Sequence, residues 1–76
     1  MKPSKLKPGK RFLLTGSDQR QREAVFIRRH PAQGGRKAIN IIRVPDFAGL
    51  EGPNDDGTCT ISDYDFSRKT QPLNAA

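Results

Sequence analysis

The sequence holds one cysteine, one histidine, one tyrosine and no tryptophan among its 76 residues. A solitary Cys59 excludes an internal disulfide scaffold, and with His30 alone and no CxxC or HxxxH spacing there is no zinc-binding set. Apolar residues are scarce too, at 33%, against about 45–50% in ordinary globular domains. The longest unbroken apolar runs are Ala24–Ile27 and Phe12–Leu14, far short of the roughly 20 residues of a membrane-spanning helix. The opening MKPSKLKPGK is basic but lacks the apolar stretch of a secretory signal, and neither Lys2 nor the residues near the C-terminus fit a lipidation motif. A reducing, cytoplasmic location is the expectation. A chain this short buries only about 60% of its surface, which disfavours a large enclosed active site. No serine or cysteine is tied to His30 by spacing, so neither catalysis nor a cofactor is expected.

What the chain has instead is positive charge, unevenly placed. The total is +6. Up to Arg43 there are twelve Lys or Arg against Asp18 and Glu23, giving +10; from Val44 onward two basic residues face six acids, giving −4. Such a division points to a polyanion-facing surface, because folding would have to scatter the charges to erase it.

Short strands and turns account for most of the chain. Residues 1–9, with two prolines, three lysines and a glycine, read as a flexible basic arm, and residues 70–76 (TQPLNAA) as a loose tail. Between them, over residues 10–69, lie the strand candidates Lys10–Thr15, Glu23–Arg29, Ala38–Val44, Thr58–Ser62 and Phe66–Lys69, separated by Gly, Pro, Asn and Asp clusters. Ser17–Arg29 has a helical alternative, with Asp18 as N-cap. Its apolar residues form a block rather than a stripe, and Val25, Phe26 and Ile27 prefer a pleated surface, so a strand is expected. The fold class is therefore all-β, with Phe12, Leu14, Val25, Ile27, Ile39, Ile41, Ile61 and Phe66 as the expected core.

The order of these segments resembles the SH3-like small β-barrels of the KOW and Tudor type. KPGKRFLL matches the opening strand, EAVFIRR and KAINIIRV the central hairpin, and GTCTIS the fourth strand. SDYDF is similar to the 3₁₀ turn that joins the last two strands in that family. The resemblance implies a five-stranded barrel whose closure removes the sheet edges.

Three groups of basic residues are candidates for nucleic-acid contact. Arg28 and Arg29 end one strand of the expected hairpin and Arg36 and Lys37 open the next, while Gly34 and Gly35 allow backbone N–H groups to approach a phosphate. Neighbouring strand residues point to opposite faces, so Arg28 and Arg29 share one ligand only if the strand ends or bulges there. Arg43 shares a face with Ile39 and Ile41 and is expected to pair with Asp46 or Asp63. Lys10 and Arg11 continue the basic arm. Partners are expected to be DNA or RNA, contacted without catalysis by an accessory or regulatory protein. Aromatics are few, with Phe47 and Tyr64 as the candidate stacking platforms and Tyr64 expected to pack over the turn. The alternative is a protein-interaction module, an adaptor or an inhibitor of a larger enzyme. It would use the long loop at 45–57, with Phe47, Leu50 and Tyr64 at its surface. Asn54-Asp55-Asp56-Gly57 lacks the alternating ligands and closing Glu of a calcium loop and reads as turn chemistry.

Overall fold

A computed structural model describes residues 2–73 of the chain. Alternation of Phe12 and Leu14 with half-exposed neighbours makes Arg11–Thr15 the strand β1. The turn after it is built by Asp18, whose carboxylate accepts from the Arg20 N–H at 3.0 Å and from the Arg22 guanidinium at 2.7 and 3.1 Å. Asp18 therefore closes a hairpin rather than capping a helix, and the strand β2 runs from Gln21 to His30. It is followed by β3 (Ile39–Arg43), β4 (Thr58–Ser62), the helix α1 (Asp63–Lys69) and β5 (Thr70–Pro72).

All five strands are antiparallel in one sheet of order β4-β3-β2-β1-β5. The all-β expectation is met. Among the described residues no β4–β5 ladder closes the sheet on itself, so β4 and β5 are its two edges and α1 connects them. Two expected elements change. The segment expected as a 3₁₀ turn and a fifth strand is a single helix, started by Ser62, whose hydroxyl accepts from the Asp65 N–H at 3.1 Å. The fifth strand comes instead from the expected tail, where Thr70 and Pro72 pair with Leu14 and Phe12. Proline is tolerated there because an edge strand has one side with no ladder to complete. Residues 74–76 of the expected tail lie outside the described ones.

The arm is also more ordered than expected. Pro3–Lys5 forms a 3₁₀ turn with Pro3 buried, Leu6 packs against the core, and the Gly9 N–H donates to the Phe26 carbonyl at 2.8 Å. Two apolar residues with somewhere to dock suffice to hold a short basic segment, while Lys2, Lys5 and Lys7 stay exposed.

The core consists of Phe12, Leu14, Ala24, Phe26, Ile42, Val44 and Phe66, with Ile61 and Cys59 packed at its margin. In β2 and β3 this is the opposite face from the expected one. Phe26 takes the interior and turns Val25 and Ile27 outward, while the pairing of β2 with β3 places Asn40 and Ile42 inside. Ile39 is left 44% exposed. The choice in β3 lay between burying Arg43 and burying Asn40, and an amide that finds partners is far cheaper to bury than a guanidinium. Phe66 descends from α1 onto Phe12 and Phe26, with ring centroids 5.1 and 6.2 Å away.

The chain turns back into β4 at Gly57, which is buried with φ +89°, and an added Cβ would be driven into the Val44 carbonyl. Gly49 has a similar φ of +88° but open space around it. Gly57→Ala is expected to cost more than the ~1–3 kcal/mol of left-handed backbone strain alone, whereas Gly49→Ala is expected to show only that strain. Urea midpoints of the two variants measure the difference.

Candidate nucleic-acid interface

The connection between β2 and β3 ends in a tight turn. Gln33 and Arg36 exchange backbone hydrogen bonds of 3.1 and 2.9 Å around Gly34 and Gly35, whose φ values of +55° and +83° are those a two-residue primed turn demands. His30, Gln33, Gly34, Arg36, Lys37 and Ile39 line a recess of about 510 Å³ at this end of the sheet, and no carboxylate lines it.

A β-bulge sits in β2 between Phe26 and Arg28. Two residues, Ile27 and Arg28, are thereby accommodated on one side before alternation resumes. Arg28 stands opposite Ile41 on the outer face, and Arg29 stands opposite the buried Asn40 on the inner one. The two arginines thus lie on opposite faces of the sheet. One row of the outer face crosses three strands as Arg11, Val25 and Arg43, and Arg28 lies one row nearer the turn. Arg11 forms an exposed ion pair with Glu23. The ion pairs among the described residues are Arg11–Glu23, Arg22–Asp18 and Arg29–Asp63, so Lys10, Arg28, Arg36, Lys37 and Arg43 take part in none.

Two expected roles are therefore corrected. Arg43 pairs with neither Asp46 nor Asp63: it is exposed, and Asp63 is taken by Arg29 at 2.6 Å. Its charge acts on Asp56, whose carboxyl is lowered first by hydrogen bonds from Thr58 and only then by the field of Arg43. Arg29, expected as a phosphate contact, is part of a structural cluster instead. Asn40 Nδ2 donates to the Ile61 carbonyl at 3.2 Å and to Asp63 Oδ1 at 2.8 Å, so one carboxylate oxygen receives both Arg29 and Asn40. These donors, Arg29 foremost, hold the Asp63 carboxyl below its ordinary range against a smaller opposing effect of burial. Asn40 as the hidden centre of the cluster was not foreseen. Its signal was a polar residue flanked by Ile39, Ile41 and Ile42, where a strand buried on one face needs a partner for any amide it encloses.

Of the residues of the alternative surface, Phe47 and Leu50 line one recess and Tyr64 stands apart from them. Phe47 is half-buried against the core, with the Arg22 guanidinium 5.1 Å from its ring centroid. Leu50 is 74% exposed beside Glu51 and Asp55, over a shallow recess of about 220 Å³. Tyr64 lies at the other end of β4, 66% exposed. Two of the four carboxylates of the long loop serve its turns: Asp55 accepts from the N–H groups of Glu51 and Gly57, and Asp56 from the N–H and hydroxyl of Thr58. Burial, the larger effect, and the charge of Asp55 push the Cys59 thiol up, which keeps it protonated. Among the described residues no helix is long and apolar enough to cross a membrane.

No family model matches the chain, and no curated protein and no solved structure matches it either.

The Arg29–Asp63 pair has a definite pH dependence. A carboxyl lowered in the fold contributes stability that is complete above its unfolded value, about 3.9, and is lost as pH falls through the folded value. Asp63→Asn is expected to be less stable than wild type near neutral pH by up to about 1 kcal/mol, since the pair is partly exposed. That gap is expected to narrow as pH falls below the unfolded value of about 3.9 and through the lowered folded value, as paired urea titrations across an acid pH series would record.

Proposed function

We propose that this protein binds nucleic acid without catalysing a reaction, as a small accessory or regulatory protein of the cytoplasm. It would grip phosphates with the end of the β2–β3 hairpin and the adjoining outer sheet face. The observation that carries the reading is that Arg28, Arg36, Lys37 and Arg43 are exposed and outside every ion pair among the described residues. Like charges gathered without counter-ions repel one another, and a polyanion relieves that repulsion while releasing its own condensed ions. The Gly34-Gly35 turn adds backbone that a phosphate can approach closely, since neither residue carries a side chain. Lys10 and the exposed lysines of the N-terminal segment would add further positive charge beside β1, whose Arg11 is paired with Glu23.

A second reading rests on Leu50. An apolar side chain 74% exposed between Glu51 and Asp55 suits a protein partner with a basic rim around an apolar notch. Phe47 lines the same recess, but its ring is half-buried against the core and Arg22, so Leu50 is the more exposed anchor.

Salt dependence tests the first reading. Four phosphate contacts give a log–log slope near −3.6 on duplex DNA, so affinity is expected to fall roughly 150-fold from 50 to 200 mM salt. Replacing Arg28 and Arg36 together by Ala is expected to reduce the slope by about 2 and to weaken all sequences alike. Titrations of labelled duplex DNA, single-stranded DNA and RNA by fluorescence anisotropy provide the measurement. Absence of binding to all three at the lowest salt, or an unchanged slope in the double variant, overturns the proposal.

A further inference from the structure

A second recess opens at the same end of the sheet, on the side to which Arg29 turns. It has a volume of about 560 Å³, and its lining includes Arg29, Lys37, Ala38, Ser62, Asp63 and Tyr64, drawn from the hairpin, β4 and α1. A volume of this order lies within the roughly 300–1,000 Å³ of small-ligand sites. One wall is rigid. Asp63 is held by Arg29 and by Asn40, which is itself completely buried. Only Nη1 of Arg29 is engaged with the carboxylate, so the remaining guanidinium donors are available at the recess.

Next to Asp63 on the same helix stands Tyr64, 66% exposed where a ring packed over its own turn was expected. Its orientation is fixed from outside the recess. Arg68, one helical turn on, lies 5.1 Å from the ring centroid and donates to the Tyr64 hydroxyl at 3.0 Å, yet Arg68 does not line the recess. Among the described residues no second aromatic ring or guanidinium stacks on Tyr64. Lys37 belongs to both recesses and so joins this one to the phosphate-facing turn.

A planar π-system with an anionic group one sugar away satisfies all three features at once: the open aromatic ring, the spare guanidinium donors and the shared lysine. We infer that this recess receives one unpaired base of a single-stranded nucleic acid, stacked on Tyr64, with its flanking phosphate passing over Lys37 towards Arg36. The inference rests on the nucleic-acid reading and narrows it. A base inside a duplex is already stacked on both faces and cannot reach the ring, so single strands gain a contact that duplexes lack.

Tyr64 is the sole tyrosine and there is no tryptophan, so the intrinsic emission of the protein reports this one ring. The test titrates oligothymidylate and oligouridylate strands of about eight nucleotides, a hairpin duplex and a mononucleotide, following end-label anisotropy or competition together with tyrosine emission. Both strands are expected to quench Tyr64 as they bind. Tyr64→Ala is expected to weaken single-strand binding by about 5- to 150-fold, Tyr64→Phe to retain it, and duplex affinity to stay at the wild-type level in both variants. Binding of the strands with unchanged tyrosine emission, or full single-strand affinity in Tyr64→Ala, overturns the base site and leaves the phosphate reading standing. Quenching by the mononucleotide as effective as by the strands overturns the assignment to a strand. Failure of every nucleic acid to bind at low salt overturns both readings.

Discussion

The interior of this sheet is closed by one side chain. Phe66 arrives from outside the strands and sets its ring against Phe12 of β1 and Phe26 of β2. Burying a phenylalanine contributes about 1.5–3 kcal/mol, and each well-placed aromatic pair adds about 0.5–1.5 kcal/mol. In a chain with 33% apolar residues no other cluster offers as much. The link from β4 to β5 must therefore be long enough to lay Phe66 over the sheet, and the seven residues of α1 do this. The same placement fixes what precedes Phe66 on the helix. Asp63 comes within reach of Arg29 and Asn40, and Tyr64 stands beside the hairpin. The polar cluster and the exposed ring at that end are consequences of how the core is filled.

Asn40 links the two levels. Its amide group joins the end of β4 to the start of α1, so the helix is held by hydrogen bonds as well as by Phe66. Its Oδ1 has no partner among the described residues. An enclosed carbonyl oxygen without a donor carries a desolvation cost, which the two Nδ2 bonds and the ring contacts nearby must outweigh. The bulge in β2 serves the same arrangement. Without the bulge, regular alternation through Ile27 would turn Arg28 inward and Arg29 out to solvent.

The parts of this design that the sequence makes legible are those marked by punctuation. Gly16-Ser17-Asp18, Gly34-Gly35 and the 52–57 loop delimit β1, the central hairpin and β4, and the strand at Thr58–Ser62 has the bounds that these signals indicate. Which face of β2 lies inside is not marked, because Ala24–Ile27 is apolar at every position and either phase buries two of its residues. In β3, Ile39 and Ile41 suggest one face and Ile42 and Val44 the other; only the relative cost of enclosing Arg43 or Asn40 decides. A helix of two turns shows too little periodicity to be told from a strand, and Pro72 hides an edge strand as a tail. The pairing of Arg29 with Asp63 spans 34 positions, and no local pattern encodes such a separation.

The uneven charge of the sequence survives folding, with one amendment. β3 carries the chain from the hairpin end to the long loop holding Asp46, Glu51, Asp55 and Asp56, so basic and acidic segments sit at opposite ends of the central strands. Five residues of strand rise roughly 16 Å, about twice the ~8 Å over which physiological salt screens a charge. The acids of the loop therefore do little to neutralise Arg36 and Lys37 at the turn. Arg43 and Arg22 are the exceptions: Arg43 closes β3 at the loop end, where its charge acts on Asp56, and Arg22 lies over Phe47 of the loop. Of the positive charges at the hairpin end, Arg29 is internally compensated and the others are not. The division that matters is therefore spatial: a polyanion meeting this protein finds its uncompensated charge at the hairpin, where a nearby aromatic ring also lies open.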